Sequence, residues 1–212
     1  MKKLLFIKLA VVLGMIIVGV IAYTRLPDIV PIHWGIDGYP DRSGSKLIPT
    51  LLFPIIALLF VILSPLFSRL DPKKDNYKKF ANIWEIVQFS ILGLFAYLYI
   101  IILYVLFNPE LNIGTYIITG IGILFIILGN YLGKIRQNYF VGIRLPWTIA
   151  NEEVWNKTHR FGGKIFMIGG IVLLLSSYFQ FYPFVILLIV ISMIVFVPIR
   201  YSYTIYKNIE GK

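Results

Sequence analysis

The sequence has no cysteine. That excludes disulfide frameworks, thiolate metal sites, iron–sulfur clusters, lipidated cysteines and cysteine nucleophiles, and it leaves the redox compartment unread. Charge is scarce as well: Asp, Glu, Lys and Arg supply 14% of the 212 residues, against about 25% in soluble chains. There are two histidines, His33 and His159. The chain holds no H-E-x-x-H, G-x-S-x-G or P-loop pattern. Nor does any pair of ionisable residues share one face in the middle of an apolar run, as a two-carboxylate or relay mechanism would need. No enzyme, resident cofactor or metal is expected.

What is abundant is apolar surface, at 58% of residues, a composition that excludes disorder and argues against a soluble domain. Hydrocarbon offers the backbone no partner but itself, so each long apolar run is expected to be a helix. Such runs cover 4–23, 47–67, 83–107 and 113–132, and residues 165–199 form an uncharged stretch of 35. As one helix that stretch would reach about 52 Å, too long for a hydrocarbon core of about 30 Å. A turn at 180–183 is expected to divide it into spans 165–180 and 184–199. Six crossings leave only connectors, so the whole chain, 1–212, reads as one membrane domain. Lys8 is expected to snorkel from the first span toward the headgroups. Glu85 and Gln88 open the third span, where an ion pair with Lys or Arg is the plain reading and a proton relay through Glu85 the sharper one.

A net charge of +10 would suggest nucleic acid in a soluble protein, but here placement decides. Seventeen of the twenty Lys and Arg lie at the termini, Lys212 included, or in the second and fourth connectors; only Arg25, Arg42 and Lys46 lie elsewhere. Lys and Arg concentrate on the cytoplasmic side of short loops, so both termini are expected to be cytoplasmic. Their partners are then lipid headgroups, with no direct nucleic-acid binding. Tyr23, Tyr131, Tyr182 and Tyr201 near span ends fit an interfacial aromatic belt. The first run, with Val20-x-Ala22, also resembles a signal peptide, although its length suits a full crossing.

Two connectors are more than tethers. The outer one, 24–46, is punctuated by Pro27, Pro31 and Pro40 and by Gly35, Gly38 and Gly44, and is expected to be a compact ordered loop without a long helix or strand. His33, Asp37 and Asp41 are possible metal ligands by type, but turn formers separate them. The plainer reading has Asp37 and Asp41 capping turns and His33 and Trp34 at the interface. Between these stands a loop that offers Ile32, Trp34 and Tyr39 to an extracellular peptide. In the inner connector, 133–164, the segment 138–148 with Gly142, Arg144, Pro146 and Trp147 reads as a packed turn. Thr148 or Asn151 is expected to cap a short helix with Glu152 and Glu153 in its first turn and Lys157, His159 and Arg160 at its end, stopped by Gly162 and Gly163. Its face of Val154, Thr158 and Phe161 would lie flat in the interface, with Trp155 at headgroup depth. A lipid-covered helix and a docking site for a cytoplasmic protein are both open readings.

The inner segment 138–164 resembles the signature of the SdpI-type immunity proteins, and the outer segment 26–46 resembles the N-terminal domain that accompanies it. The matching positions are Pro27, Pro31, His33, Trp34, Gly38, Asp41 and Lys46 outside. Inside they are Tyr139, Gly142, Arg144, Pro146, Trp147, Thr148, Glu153, Trp155, His159, Arg160, Gly162 and Gly163. The resemblance implies a bacterial plasma-membrane protein that protects its producer from a secreted toxin peptide. One branch of the family also holds a cytoplasmic autorepressor at the membrane. The expected fold is thus an all-α membrane protein with six transmembrane helices, an ordered outer loop and a short interfacial helix between spans four and five. The outer loop, Pro31, His33, Trp34, Gly38, Tyr39, Asp41 and Lys46, would face the toxin. The inner set, Arg144, Pro146, Trp147, Thr148, Glu153, Trp155, His159, Arg160, Gly162 and Gly163, would bind a partner or hold the structure. Competing readings are a small transporter or exporter lined by Glu85 and Gln88, and a membrane enzyme built on His159, Glu152 and Glu153.

Overall fold

The computed structural model describes residues 2–211, with the side chain of Lys2 outside that description; Met1 and Lys212, including the cation that entered the charge count, also lie outside it. In chain order the elements are α1 (Lys2–Arg25), β1 (Ile29–Trp34), β2 (Pro40–Ser45), α2 (Leu47–Leu70), α3 (Lys74–Lys79), α4 (Ala81–Phe107), α5 (Ile113–Leu132), α6 (Pro146–Ala150), α7 (Glu152–Tyr178) and α8 (Pro183–Glu210). Six of these, α1, α2, α4, α5, α7 and α8, are long and apolar enough to cross a bilayer. The fold is that of an all-α, multi-span membrane protein.

The six long helices form two sets of three. α1, α2 and α4 close around Val12, Met15, Ala57, Val61, Leu92 and Tyr99, and α5, α7 and α8 around Ile118, Leu173, Val190 and Ile194. α4 packs on α5 between the sets. At the end where α2 leads into α4, Tyr77, Phe80, Trp84, Leu132, Ile135 and Trp155 join them. Helices in lipid gain little from burying apolar surface against one another, so close backbone approach at small residues has to supply the contact. α5 and α7 show this: a Cβ added at Gly163 would lie 2.6 Å from Gly129 O, and one at Gly170 only 2.5 Å from Gly122 O.

Proline in a span removes a backbone donor that lipid cannot replace. Pro54 in α2 leaves Thr50 O without its helical partner, and Tyr99 Oη on α4 donates to that oxygen at 3.0 Å. Gly19 of α1 sits against the same hydroxyl, where a side chain would collide with it. One proline thus fixes a three-helix contact.

Four local expectations differ from the structure. Lys8 does not snorkel: it is buried, and its Nζ lies 2.5 Å from Glu85 Oε2 and 3.0 Å from Gln88 Oε1. Ser64 Oγ donates to the same Gln88 oxygen at 2.8 Å. A buried lysine ammonium needs acceptors, and Glu85 and Gln88 in the first two turns of α4 supply them. Second, the outer connector forms strands of six residues each, paired antiparallel from Ile29 with Ser45 to Trp34 with Pro40, with an irregular register around His33. Proline and glycine fall where a hairpin tolerates them, at the edges and in the turn. Third, Gly162 and Gly163 do not stop a short helix. α7 runs through them from Glu152 to Tyr178, so the fifth span starts well before residue 165, and the glycines are the surface on which α5 and its neighbours pack. Fourth, Trp155 is fully buried within the protein and does not lie on a lipid-facing surface. The short helix of this connector is α6, just upstream. The other long helices extend past the apolar runs at several ends, α2 to Leu70, α4 from Ala81 and α8 to Glu210. The turn at 180–183 is present, with Gln180 at φ 54° and Tyr182 at φ 42°.

Candidate functional site

By alternation of the six helices, the hairpin and the turn between α7 and α8 lie at one end of the bundle. The α2–α4 and α5–α7 connectors lie at the other. The hairpin is pinned at its base by Lys46, whose Nζ donates to Leu26 O at 3.0 Å, lies 3.1 Å from Asp28 Oδ1 and stands 4.5 Å over the Tyr23 ring. Pro31 pairs across from Ser43 near that base. His33 Nδ1 and Asp41 Oδ1 are 2.6 Å apart on the exposed surface, a cross-strand pair. Among the described residues no group of three His, Cys, Asp or Glu is placed to hold a metal.

The hairpin tip is where two helix sets meet. Asp37 Oδ1 accepts the Tyr39 N–H at 3.1 Å, an Asx turn that lets the chain reverse. Gly38 follows at φ 80° and is buried against Asn112, where an added Cβ would overlap the amide. Asn112 caps α5, its Oδ1 accepting from Gly114 N at 2.9 Å, while its Nδ2 donates to Asp37 O at 2.7 Å. Between this tip, the start of α5 and the α7–α8 turn opens a cleft of about 810 Å³. Trp34, Asp37 and Gly38 line it from the hairpin, Asn112 and Thr115 from α5, and Gln180, Phe181 and Tyr182 from the turn. Of the expected outer residues, Trp34 and Gly38 reach this cleft; Pro31, His33, Asp41 and Lys46 do not line it, and Tyr39 is exposed beside it. The α5 and α7–α8 contributions were missed. The one available signal was the aromatic run around 178–184, which reads equally well as an interfacial belt.

At the opposite end the inner motif is chiefly an interior. Trp155 Nε1 donates to Ile135 O at 2.9 Å, and its ring stacks on His159 at 3.9 Å between centroids. His159 Nδ1 lies 2.8 Å from Trp155 O, and Ile143 N–H donates to Nε2 at 2.9 Å. With one ring nitrogen donating and the other accepting, the imidazole is neutral and has no free nitrogen for acid–base chemistry. Gly142, at φ 113°, lies against this ring with no room for a Cβ. The Thr148 hydroxyl accepts from Leu145 N at 2.8 Å and donates to Ile143 O at 2.9 Å, and Pro146 starts α6. Trp147 Nε1 donates to Ser202 Oγ at 2.9 Å and stacks near Tyr203 and Tyr206 of α8. Asn151 caps α7.

Arg144, Glu153 and Arg160 are exposed instead; Arg144 Nη1 donates to Tyr139 O at 2.9 Å, and Glu153 pairs with Lys157 at 2.7 Å. Sequence reasoning missed the buried clasp beneath them. Asp71 Oδ2 accepts from Tyr139 N at 2.8 Å, and the Tyr77 O–H lies 3.2 Å from both Asp71 Oδ2 and Asn138 Oδ1. Burial, and then the Asp71 charge, push the Tyr77 phenol well above its ordinary value, so it stays a donor. Gln137 adds Nε2 bonds to Thr148 O and Ile149 O and accepts from Lys73. Asp71 and Tyr77 lie more than sixty residues from their partners in the chain, and no local spacing marks such a contact.

Comparison with known proteins divides the chain at these same two ends. The family model described as the SdpI/YfhL protein family matches residues 134–202, the inner connector with α6, α7 and much of α8. The one described as a domain of unknown function, DUF1648, matches residues 10–58, covering most of α1, the hairpin and the start of α2. The inner third of the chain is thus similar to the SdpI/YfhL family. A relative named Immunity protein SdpI, from Bacillus subtilis, is 27% identical over 212 residues, covering 100% of this chain and 99% of that protein. An uncharacterized protein from Archaeoglobus fulgidus is 32% identical over 85 residues, 39% of this chain and 45% of that protein. No solved structure matches. The two matched regions are therefore the hairpin with its supporting helices and the Trp155–His159 interior with the surface over it.

Proposed function

We propose that the chain is a membrane immunity protein of the bacterial plasma membrane, with both termini cytoplasmic, which protects its host from a secreted toxin peptide at the hairpin face. The observation that carries this reading is similarity over the full length to a relative named an immunity protein, spanning both ends of the bundle. The cation distribution supports this orientation, in which the hairpin lies outside, where a secreted peptide arrives. To test it, cells lacking the gene are challenged with the host's own spent culture medium, with and without the chain expressed. Expression should restore growth. Equal killing of both, with the protein inserted in the membrane, contradicts the reading.

A second role, holding a cytoplasmic autorepressor at the membrane, rests on the exposed inner surface of Tyr139, Arg144, Glu153, Lys157 and Arg160. Trp155 and His159 would act in it only as supports, because both are fully buried. A repressor that co-purifies with the wild-type chain should be lost on replacing Arg144 and Arg160 by Glu. Retention of the repressor by that variant contradicts the role.

A further inference from the structure

The cleft beneath the hairpin tip has a charge and a depth that together describe an occupant. Although the chain carries +10 overall, the connectors of the hairpin face hold three cations, Arg25, Arg42 and Lys46, against four carboxylates, Asp28, Asp37, Asp41 and Glu110. Lys46 is taken by Asp28, and His33 stands against Asp41. Asp37 has no cation within pairing distance among the described residues, and it is the one acidic side chain among those lining the cleft. Below it the wall is apolar, with Ile117 and Ile118 of α5 and Val185 and Leu187 of α8 running into the spans. At the rim Phe181 and Tyr182 are 62% and 68% exposed. Trp34 contributes a further feature: its indole Nε1 is enclosed and has no acceptor, a state that costs free energy until a carbonyl or carboxylate arrives.

We propose that this cleft is the binding site for the secreted peptide, and that it takes a cationic, amphipathic segment lodged at the bilayer boundary. Its positive group meets Asp37, its apolar side chains lie along α5 and α8 between the exposed aromatics, and a backbone carbonyl accepts from Trp34. This site rests on the immunity reading above and sharpens it. The exposed outer surface of the hairpin, where His33 and Asp41 satisfy each other, is then scaffold. A lipid tail would be served by the apolar wall but gains nothing from an unpaired carboxylate, and a second copy of the chain would bring to the cleft a hairpin face of the same negative sign.

The experiment uses the full chain in cells and the peptide fraction of the host's spent culture medium. Asp37→Asn retains the side-chain oxygen that accepts from Tyr39 N–H and so leaves the turn intact while removing the charge. Protection should fall about tenfold or more in tolerated concentration, the usual scale for one charged hydrogen bond, and Asp37→Glu should keep most of it. In parallel a photoreactive benzophenone residue replaces Ile36 in the cleft, or Ile29 at the exposed base of the hairpin. A peptide adduct at position 36 and none at 29 is the expected result. An adduct at 29 alone, a lipid or chain-dimer adduct at 36, or full protection by Asp37→Asn overturns the cleft while immunity stands. If the wild-type chain fails to protect, the immunity reading and the cleft fall together.

Discussion

Tyr99 has no chemistry to perform, yet its hydroxyl decides how three helices meet. Pro54 strips Thr50 O of its intrahelical bond, and Tyr99 Oη replaces it inside a region with no water to do so. Tyr99→Phe keeps the ring and should cost about 1–3 kcal/mol, the desolvation cost of one orphaned carbonyl. Thermal unfolding of the detergent-solubilised protein would show it as a lowered Tm. Unchanged Tm would mean that the α2 carbonyl finds another donor. The same logic applies at the other end. His159→Phe preserves the stack on Trp155 but removes the acceptor from Ile143 N–H, with an expected loss of about 1–3 kcal/mol. Because that bond holds the 136–144 segment down, protease cleavage there should accelerate in inverted vesicles. His159→Gln, which can still accept, should fall between.

At the scale of elements, α7 is the informative case. Its first three turns carry a capping Asn151, acidic residues at the start and basic ones four and more residues on, which is a complete short helix in local terms. The glycine pair at 162–163 then reads as a stop. In a membrane it is an opening, because glycine lets α5 approach to backbone distance, and the helical bonds continue through it. The six long apolar helices, the turn at 180–183 and the Asn151 cap were legible because length, hydropathy and such caps are local, whereas the Asn112 cap of α5 was not anticipated. The hairpin pairing, the Lys8–Glu85 contact and the Asp71–Tyr77–Asn138 clasp were not, because each joins residues far apart in the chain through geometry that only packing supplies. Gly163→Leu tests the element directly. It should drive α5 from α7 and abolish a monodisperse peak in size-exclusion chromatography, whereas Gly93→Leu, at a position where a Cβ meets nothing within 4 Å, should be tolerated.

For the whole molecule, two three-helix sets are tied by polar contacts at both ends, Asn112 to the hairpin tip on one side and the Asp71 clasp on the other. Within the first set, Lys8 and Glu85 hold α1 to α4. Lys8→Met should destabilise by about 2–3 kcal/mol by leaving a partly buried carboxylate unpaired. Adding Glu85→Gln should recover much of that loss, a non-additivity readable by Tm in a double-mutant cycle. If Glu85→Gln alone leaves stability intact and Lys8→Met costs nothing, the pair is not a structural tie.

In the proposed immunity function the hairpin and the Trp155–His159 connector face opposite sides of the bilayer, with the hairpin outward. Since the chain has no native cysteine, single cysteines report their side without background. With a membrane-impermeant maleimide on intact cells, Ile36→Cys should label at once and Tyr139→Cys only after lysis. Labelling of Tyr139→Cys on intact cells, or protection of Ile36→Cys, would contradict it.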